Sequence, residues 1–170
     1  MPQNLEPVPA SFSKVTLARI MDITDSNLHG NVHGGVIMKF VDDAAGACVH
    51  RHLRGGRAVT AAVDEMVLRV PVHVGDILTA HASINGTWTT SIEVGVRVTA
   101  QAIDGAVGEP HHVASAYLVM VGIDADEQPT PVAPVVAESA DDRRRGAEAD
   151  IRRASRLSRR EAIARSRADG

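Results

Sequence analysis

Apolar residues recur at positions 36, 37, 40, 41, 44, 45 and 48, the i, i+3, i+4 spacing of an amphipathic helix that buries more than one stripe. A helix of that kind must be covered by a second layer, so the rest of the chain reads as its scaffold. Gly34 and Gly35 stand where the helix begins, and Arg54-Gly55-Gly56 predicts its end near Leu53. A first helical turn has N–H groups without intrahelical partners and carries the positive end of the macrodipole, so it can hold a carbonyl oxygen that is gaining negative charge. Asp42 lies seven residues beyond Gly35 and returns to nearly the same face about two turns on, whereas Asp43 is rotated by about 100°. Set among Phe40, Val41, Ala44 and Ala45, a carboxylate at 42 is expected to be partly desolvated, which suits a general base or a nucleophile. The spacing equally allows both aspartates to be the solvated edge of the helix.

Around the helix the pattern changes period. Lys14 to Met21 alternates as a strand, and Asp25-Ser26-Asn27 with Gly30-Asn31 marks a loop leading to the helix. Arg57 to Val70, rich in β-branched residues and bounded by glycines and Pro71, reads as a long strand. Val74-Gly75-Asp76 turns into a strand from Ile77 to Ile84, and Asn85-Gly86 is the strongest short hairpin signal in the chain. Ile92, Val94, Val96 and Val98 share one face of a strand over 89–100. A last strand runs from about His112 to Ile123, after turns at Asp104-Gly105 and Gly108-Glu109-Pro110. One strand, a long helix and four strands joined largely by short turns predict an α+β fold, an antiparallel sheet wrapped around one helix.

At 170 residues and 44% hydrophobic content the chain can build one domain with a real core, and no run approaches the roughly 18 apolar residues of a membrane helix. The first residues have neither a basic start nor an apolar core, which argues against a secretory signal and leaves a cytoplasmic location as the expectation. A net charge of −3 gives no overall attraction to nucleic acid or acidic membranes. Cys48 is the only cysteine, which excludes an internal disulfide and a thiolate zinc cluster. Among His29, His33, His50, His52, His111 and His112, the first two have i, i+4 spacing, but Gly30 and Asn31 between them make that segment a loop, so no metal site is expected. His33, beside the helix start, is expected to satisfy a backbone carbonyl, with contact to a ligand as the alternative. Asn31 by itself reads as a turn residue or a helix cap.

The composition divides the chain into a leader over 1–14 with three prolines, disordered or draped over the surface, a domain over 15–134, and a charged tail over 135–170. From Asp141 onward the tail holds ten arginines and six acidic residues, a net charge of +4. Ile151, Leu157 and Ile163 recur every six residues, an imperfect stripe, so 140–167 reads as a mobile or weakly helical appendage. Its interspersed acids and lack of aromatic residues argue against a nucleic-acid or membrane arm.

The string Leu28-His29-Gly30-Asn31-Val32-His33-Gly34-Gly35, followed by Met38-Lys39 and Asp42, resembles the hotdog-fold acyl-CoA thioesterases, in particular the cytosolic acyl-CoA hydrolase group. Local matches at Val59-Thr60-Ala61, Val74-Gly75-Asp76 and Ala114-Ser115-Ala116 carry the resemblance from about Val15 to Pro134. It implies the hotdog fold and hydrolysis of acyl-CoA to free fatty acid and CoA, with CoA part of the substrate and no separate cofactor. It further implies Asn31 and Asp42 as the catalytic pair and the backbone at Gly34 and Gly35 as the oxyanion site. Asp42 would deprotonate a water held by Asn31, or attack the carbonyl itself. Such sites form between subunits, which implies a homodimer or a trimer of dimers with Asn31 of one chain working with Asp42 of another. His33, Thr60, Thr90 and Ser91 are candidate substrate contacts, and Arg51, Arg54, Arg57 or Arg97 could meet phosphates. One rival is a hotdog hydroxyacyl dehydratase using His29 with Asp42 or Asp43, which the Asn-Val-His-Gly-Gly context argues against. The other is a non-catalytic acyl-CoA-binding regulatory protein, which the presence of both Asn31 and Asp42 argues against.

Overall fold

A computed structural model describes residues 5–103 and 108–168. The chain runs through β1 (Val8–Pro9), α1 (Ala10–Ser13), β2 (Val15–Ile20), α2 (Gly34–His52), β3 (Arg57–Leu68), β4 (Ile77–Thr87), β5 (Ser91–Gln101), β6 (His111–Ile123), β7 (Val135–Val136) and α3 (Ala140–Ala168). Five strands form one antiparallel sheet in the order β2-β4-β5-β6-β3. Helix α2 buries Ile37, Phe40, Val41, Ala44, Ala45, Cys48 and Val49 against it. The sheet answers with alternate residues: Leu78, Ala80, Ala82 and Ile84 from β4, Ile92, Val94, Val96 and Val98 from β5, and Ala114, Ala116, Leu118 and Met120 from β6. This is the α+β hotdog arrangement that periodicity and resemblance both anticipate. No helix among the described residues is long and apolar enough to cross a membrane. The expected Asp104-Gly105 turn lies outside the described residues.

Asn85-Gly86 does not make the hairpin expected of it. Strand β4 continues to Thr87, and the reversal is made by Trp88, whose N–H donates to the Ser91 carbonyl at 2.8 Å. Asn85 sits instead at a β-bulge between the pairs Ile84–Val94 and Gly86–Glu93. Its side chain turns in, and Nδ2 donates to Glu93 Oε1 at 3.0 Å. That amide lies across residue 95, where a Cβ would come within 2.6 Å of Asn85 Nδ2, so only glycine fits. A buried hydrogen-bonded partner outweighs the local turn preference.

The described part of the leader packs on the domain rather than standing loose. Strand β1 pairs in parallel with β7, and Val8 and Ala10 are buried. Helix α1 is tied to α2 through the Ser13 hydroxyl, 2.9 Å from Nδ1 of the fully buried His52. Nε2 of His52 lies 2.9 Å from the Ala133 carbonyl; a carbonyl only accepts, so Nε2 carries the proton and Nδ1 accepts from Ser13. Burial pushes the His52 pKa below its ordinary value, against the pull of that carbonyl.

The tail differs most from expectation, because it folds as the 29-residue helix α3 and docks on the sheet face opposite α2. A capping box starts it: the Ser139 hydroxyl accepts from the Asp142 N–H at 3.0 Å, and the Asp142 carboxylate accepts from the Ser139 N–H at 3.0 Å. The expected stripe of Ile151, Leu157 and Ile163 is exposed. The face turned to the sheet carries Asp142, Arg145, Ala149, Arg152 and Arg156, because the strands beneath present Glu93 and Asp64. Arg152 grips the fully buried Glu93 through two bonds, at 2.6 and 3.1 Å, while its guanidinium stacks 3.7 Å from the Tyr117 ring centroid.

Candidate active site

The loop before α2 is fixed by short polar contacts. Arg19, at the end of β2, holds both oxygens of the buried Asp25 carboxylate at 2.6 Å, and the Asp25 carbonyl accepts the His33 N–H at 2.8 Å. The Asn27 side chain accepts the His29 and Asn31 N–H groups at 2.8 and 3.2 Å, and the Asn27 N–H donates to the Asn31 carbonyl at 2.7 Å. Gly30 closes this turn at φ +80°, a conformation that costs glycine little. The backbone of Asn31 is thus committed, and none of the described hydrogen bonds uses its side chain. Asn31 and Gly34 line one open cavity of about 350 Å³ with Ile37, Leu68 and Val70.

At the helix start the ring of His33 caps α2. Its Nδ1 accepts the Gly35 N–H at 2.9 Å, so that nitrogen caps the helix instead of facing a backbone carbonyl, while the ring is exposed beside the helix start. The two glycines therefore differ: the Gly35 N–H is engaged by His33, and the Gly34 N–H is taken by none of the described hydrogen bonds.

Asp42 and Asp43 also separate as the helical phase predicts. Asp43 accepts from Lys39 Nζ at 2.7 Å on the outer surface of α2. Asp42 Oδ1 accepts from the Thr60 hydroxyl of β3 at 2.6 Å, and no cation among the described residues pairs with it. The expected desolvation is absent in the single chain, where Asp42 is exposed, because Phe40, Val41, Ala44 and Ala45 turn under the sheet and leave position 42 at the rim. Asn31 and Asp42 are not brought together within one chain: seven residues of helix at 1.5 Å each put about 10 Å between the levels of Gly35 and Asp42.

The remaining candidates scatter. Thr90 and Ser91 lie at the β4–β5 turn, and Ser91 shares a cross-strand row, through Val121 of β6, with Val59 next to Thr60. Arg51 reaches the Phe12 carbonyl at 3.2 Å, Arg54 pairs with Glu6 and Arg57 with Glu127. Arg97 lines a cavity of about 600 Å³ on the α3 side, away from Asp42. His29 is exposed on the loop. Burial pushes the Cys48 thiol up to about 12, which excludes a thiolate nucleophile there near neutral pH.

A family model described as the thioesterase superfamily matches residues 29–106. The cytosolic acyl coenzyme A thioester hydrolase of Rattus norvegicus is 32% identical over 142 residues, 84% of this chain and 37% of that protein, so this chain spans only part of its relative's length. Protein VdlD of Helicobacter pylori is 33% identical over 123 residues, 72% of this chain and 68% of that one. An apo-hexameric acyl-CoA thioesterase superposes with a TM-score of 0.85 at 27% identity, over 91% of this chain and 97% of its own. The acyl-CoA hydrolase of Staphylococcus aureus, in complex with butyryl coenzyme A, coenzyme A and coenzyme A disulfide, gives a TM-score of 0.83 at 27% identity, over 94% of this chain and 95% of its own. Variants of that hydrolase with one aspartate, one asparagine or one threonine replaced by alanine have the same fold, with TM-scores of 0.84, 0.87 and 0.82.

Proposed function

The chain belongs to the thioesterase superfamily, and from that membership we propose that it hydrolyses acyl-CoA thioesters to free fatty acid and CoA in the cytoplasm, within fatty acid metabolism. The observation that carries the proposal is the state of Asp42, a carboxylate on the central helix with no cation beside it among the described residues and one oxygen held by Thr60 at 2.6 Å. That bond orients the group and leaves Oδ2 to take a proton from water. As the proton leaves, the water oxygen bonds to the thioester carbon, and charge gathers on the carbonyl oxygen facing the Gly34 N–H. The C–S bond then breaks and the thiolate departs; with a thiol pKa of about 8.5 it needs little help from a general acid.

One chain does not complete this arrangement, since Asn31 and the start of α2 stand about two turns from Asp42. Strand β3 is an edge strand with Val59, Val63 and Val67 exposed, so it offers both unpaired backbone and apolar surface to a second copy. In our reading two chains join there, and Asn31 and Gly34 of one face Asp42 and Thr60 of the other. Hexameric assembly of the similar apo thioesterase supports an oligomer of such dimers. Asn31 then positions the water or the thioester carbonyl. Release of free thiol from acyl-CoA of graded chain length tests the activity: the intact protein turns over at least part of the series, and Asp42→Asn does not. An intact protein that binds acyl-CoA without releasing thiol is a binding module instead.

A further inference from the structure

We propose that Asp64 and Arg156 are positioning residues for the Asp42–Thr60 pair, because their ion pair holds a bulge in β3 that keeps Thr60 turned toward α2. The inference rests on the catalytic reading of Asp42 given above. On the core face of the sheet, Thr60 stands opposite Met120, Val63 opposite Leu118, Met66 opposite Ala116 and Leu68 opposite Ala114. From Leu68 to Met66 both strands advance two residues. From Met66 to Val63, and again from Val63 to Thr60, β3 advances three while β6 advances two. Asp64 and Ala61 are the extra residues.

Each extra residue inverts the in-and-out alternation of a strand, so two of them restore it. With both bulges in place Thr60 faces α2 and meets Asp42; with only one it would face the opposite side of the sheet. A bulged residue lacks a ladder partner, so something else must fix it. Ala61 has no polar side chain by which to be held. Asp64 turns its carboxylate, 7% exposed, onto the face covered by α3, where Arg156, 19% exposed, pairs with it. Arg156 follows Arg152 by one turn on the docked stripe, so the C-terminal helix is bonded to the strand that presents Thr60. This gives the polar docking face of α3 a role beyond covering the sheet.

The test is steady-state thiol release with Arg156→Gln, Asp64→Asn, Arg156→Lys, Thr60→Ala and the double variant Thr60→Ala/Arg156→Gln. Loss of one hydrogen bond to a charged group predicts that Arg156→Gln and Asp64→Asn lower kcat about tenfold or more with KM little changed. Arg156→Lys should recover most of it. The double variant should be no slower than Thr60→Ala alone, since both changes remove the same bond. Arg153→Gln, which alters a half-buried arginine on α3 that packs on Trp88 and not on β3, should leave kcat as it was. Losses that add fully in the double variant, or an unchanged kcat in Arg156→Gln, overturn the proposal. The amide and methyl resonances of Thr60 report the positioning without turnover: Arg156→Gln should move them as Asp42→Asn does, and unmoved resonances overturn the proposal even if the intact protein releases no thiol. Failure of thiol release by the intact protein, with those resonances moving as expected, overturns only the catalytic reading.

Discussion

Asp42 and Asp43 share one chemistry and differ by the roughly 100° between successive residues of a helix. Lys39 neutralises one, and Thr60 aims the other without neutralising it. Asp42→Asn should therefore cut kcat by about 10² or more, while Asp43→Asn changes it by only a few fold. Steady-state kinetics on the two variants decides this, and equal losses would contradict the assignment. Helical phase made Asp42 legible in the sequence, since it depends only on the period of the apolar residues around it. Thr60 was legible only as part of a motif, because its bond to Asp42 joins two elements and no local pattern encodes it. The capping role of His33 was not legible, as histidine is outside the residues usually favoured at a helix start. The exposure of Asp42 has a related reason: its sequence neighbours lie on the buried arc, while position 42 itself stands at the rim of the single chain.

At the scale of elements, α3 and the two bulged strands separate what a pattern reveals from what packing decides. The capping pair Ser139 and Asp142 that starts α3 came to light only in the structure, and the apolar residues after it pointed to the wrong face. A docking face made of arginines has no hydrophobic period to read; it is recognisable only once Glu93 and Asp64 are known to lie beneath it. Arg152→Ala would leave Glu93 buried without its cation and should lower stability by about 3 kcal/mol or more, measured by chemical denaturation. The same elements set an acid response. His52 is buried uncharged with its pKa below the ordinary 6.5, so the unfolded chain takes up the proton first and stability falls as pH drops below about 6.5. Burial opposes the Asp142 carboxylate, yet hydrogen bonds from Ser139, Arg145 and the Glu138 N–H hold its pKa down to about 2, against an ordinary 3.8. Its contribution is complete above about pH 4 and is lost as pH falls toward 2. Denaturation midpoints measured across this range should show both declines, and His52→Gln should remove the first.

For the whole molecule, the layered fold was the most legible property, because five strand segments joined largely by short turns and one helical period admit few other arrangements. How many chains make one site was implied only by the resemblance and not by any periodicity, since it depends on an edge strand and on a distance along α2. The exposed valines of β3 and the separation of Asn31 from Asp42 lead to the same dimer. Sedimentation should show at least two chains per particle. The most direct test of a site shared between subunits is to mix Asn31→Ala chains with Asp42→Asn chains, each inactive alone, under conditions of demonstrated subunit exchange, and to follow release of free CoA thiol. We predict that activity returns, because one of the two sites in each mixed dimer then holds both an intact Asn31 and an intact Asp42. Continued inactivity after complete exchange would place both residues in the site of a single chain and contradict the account.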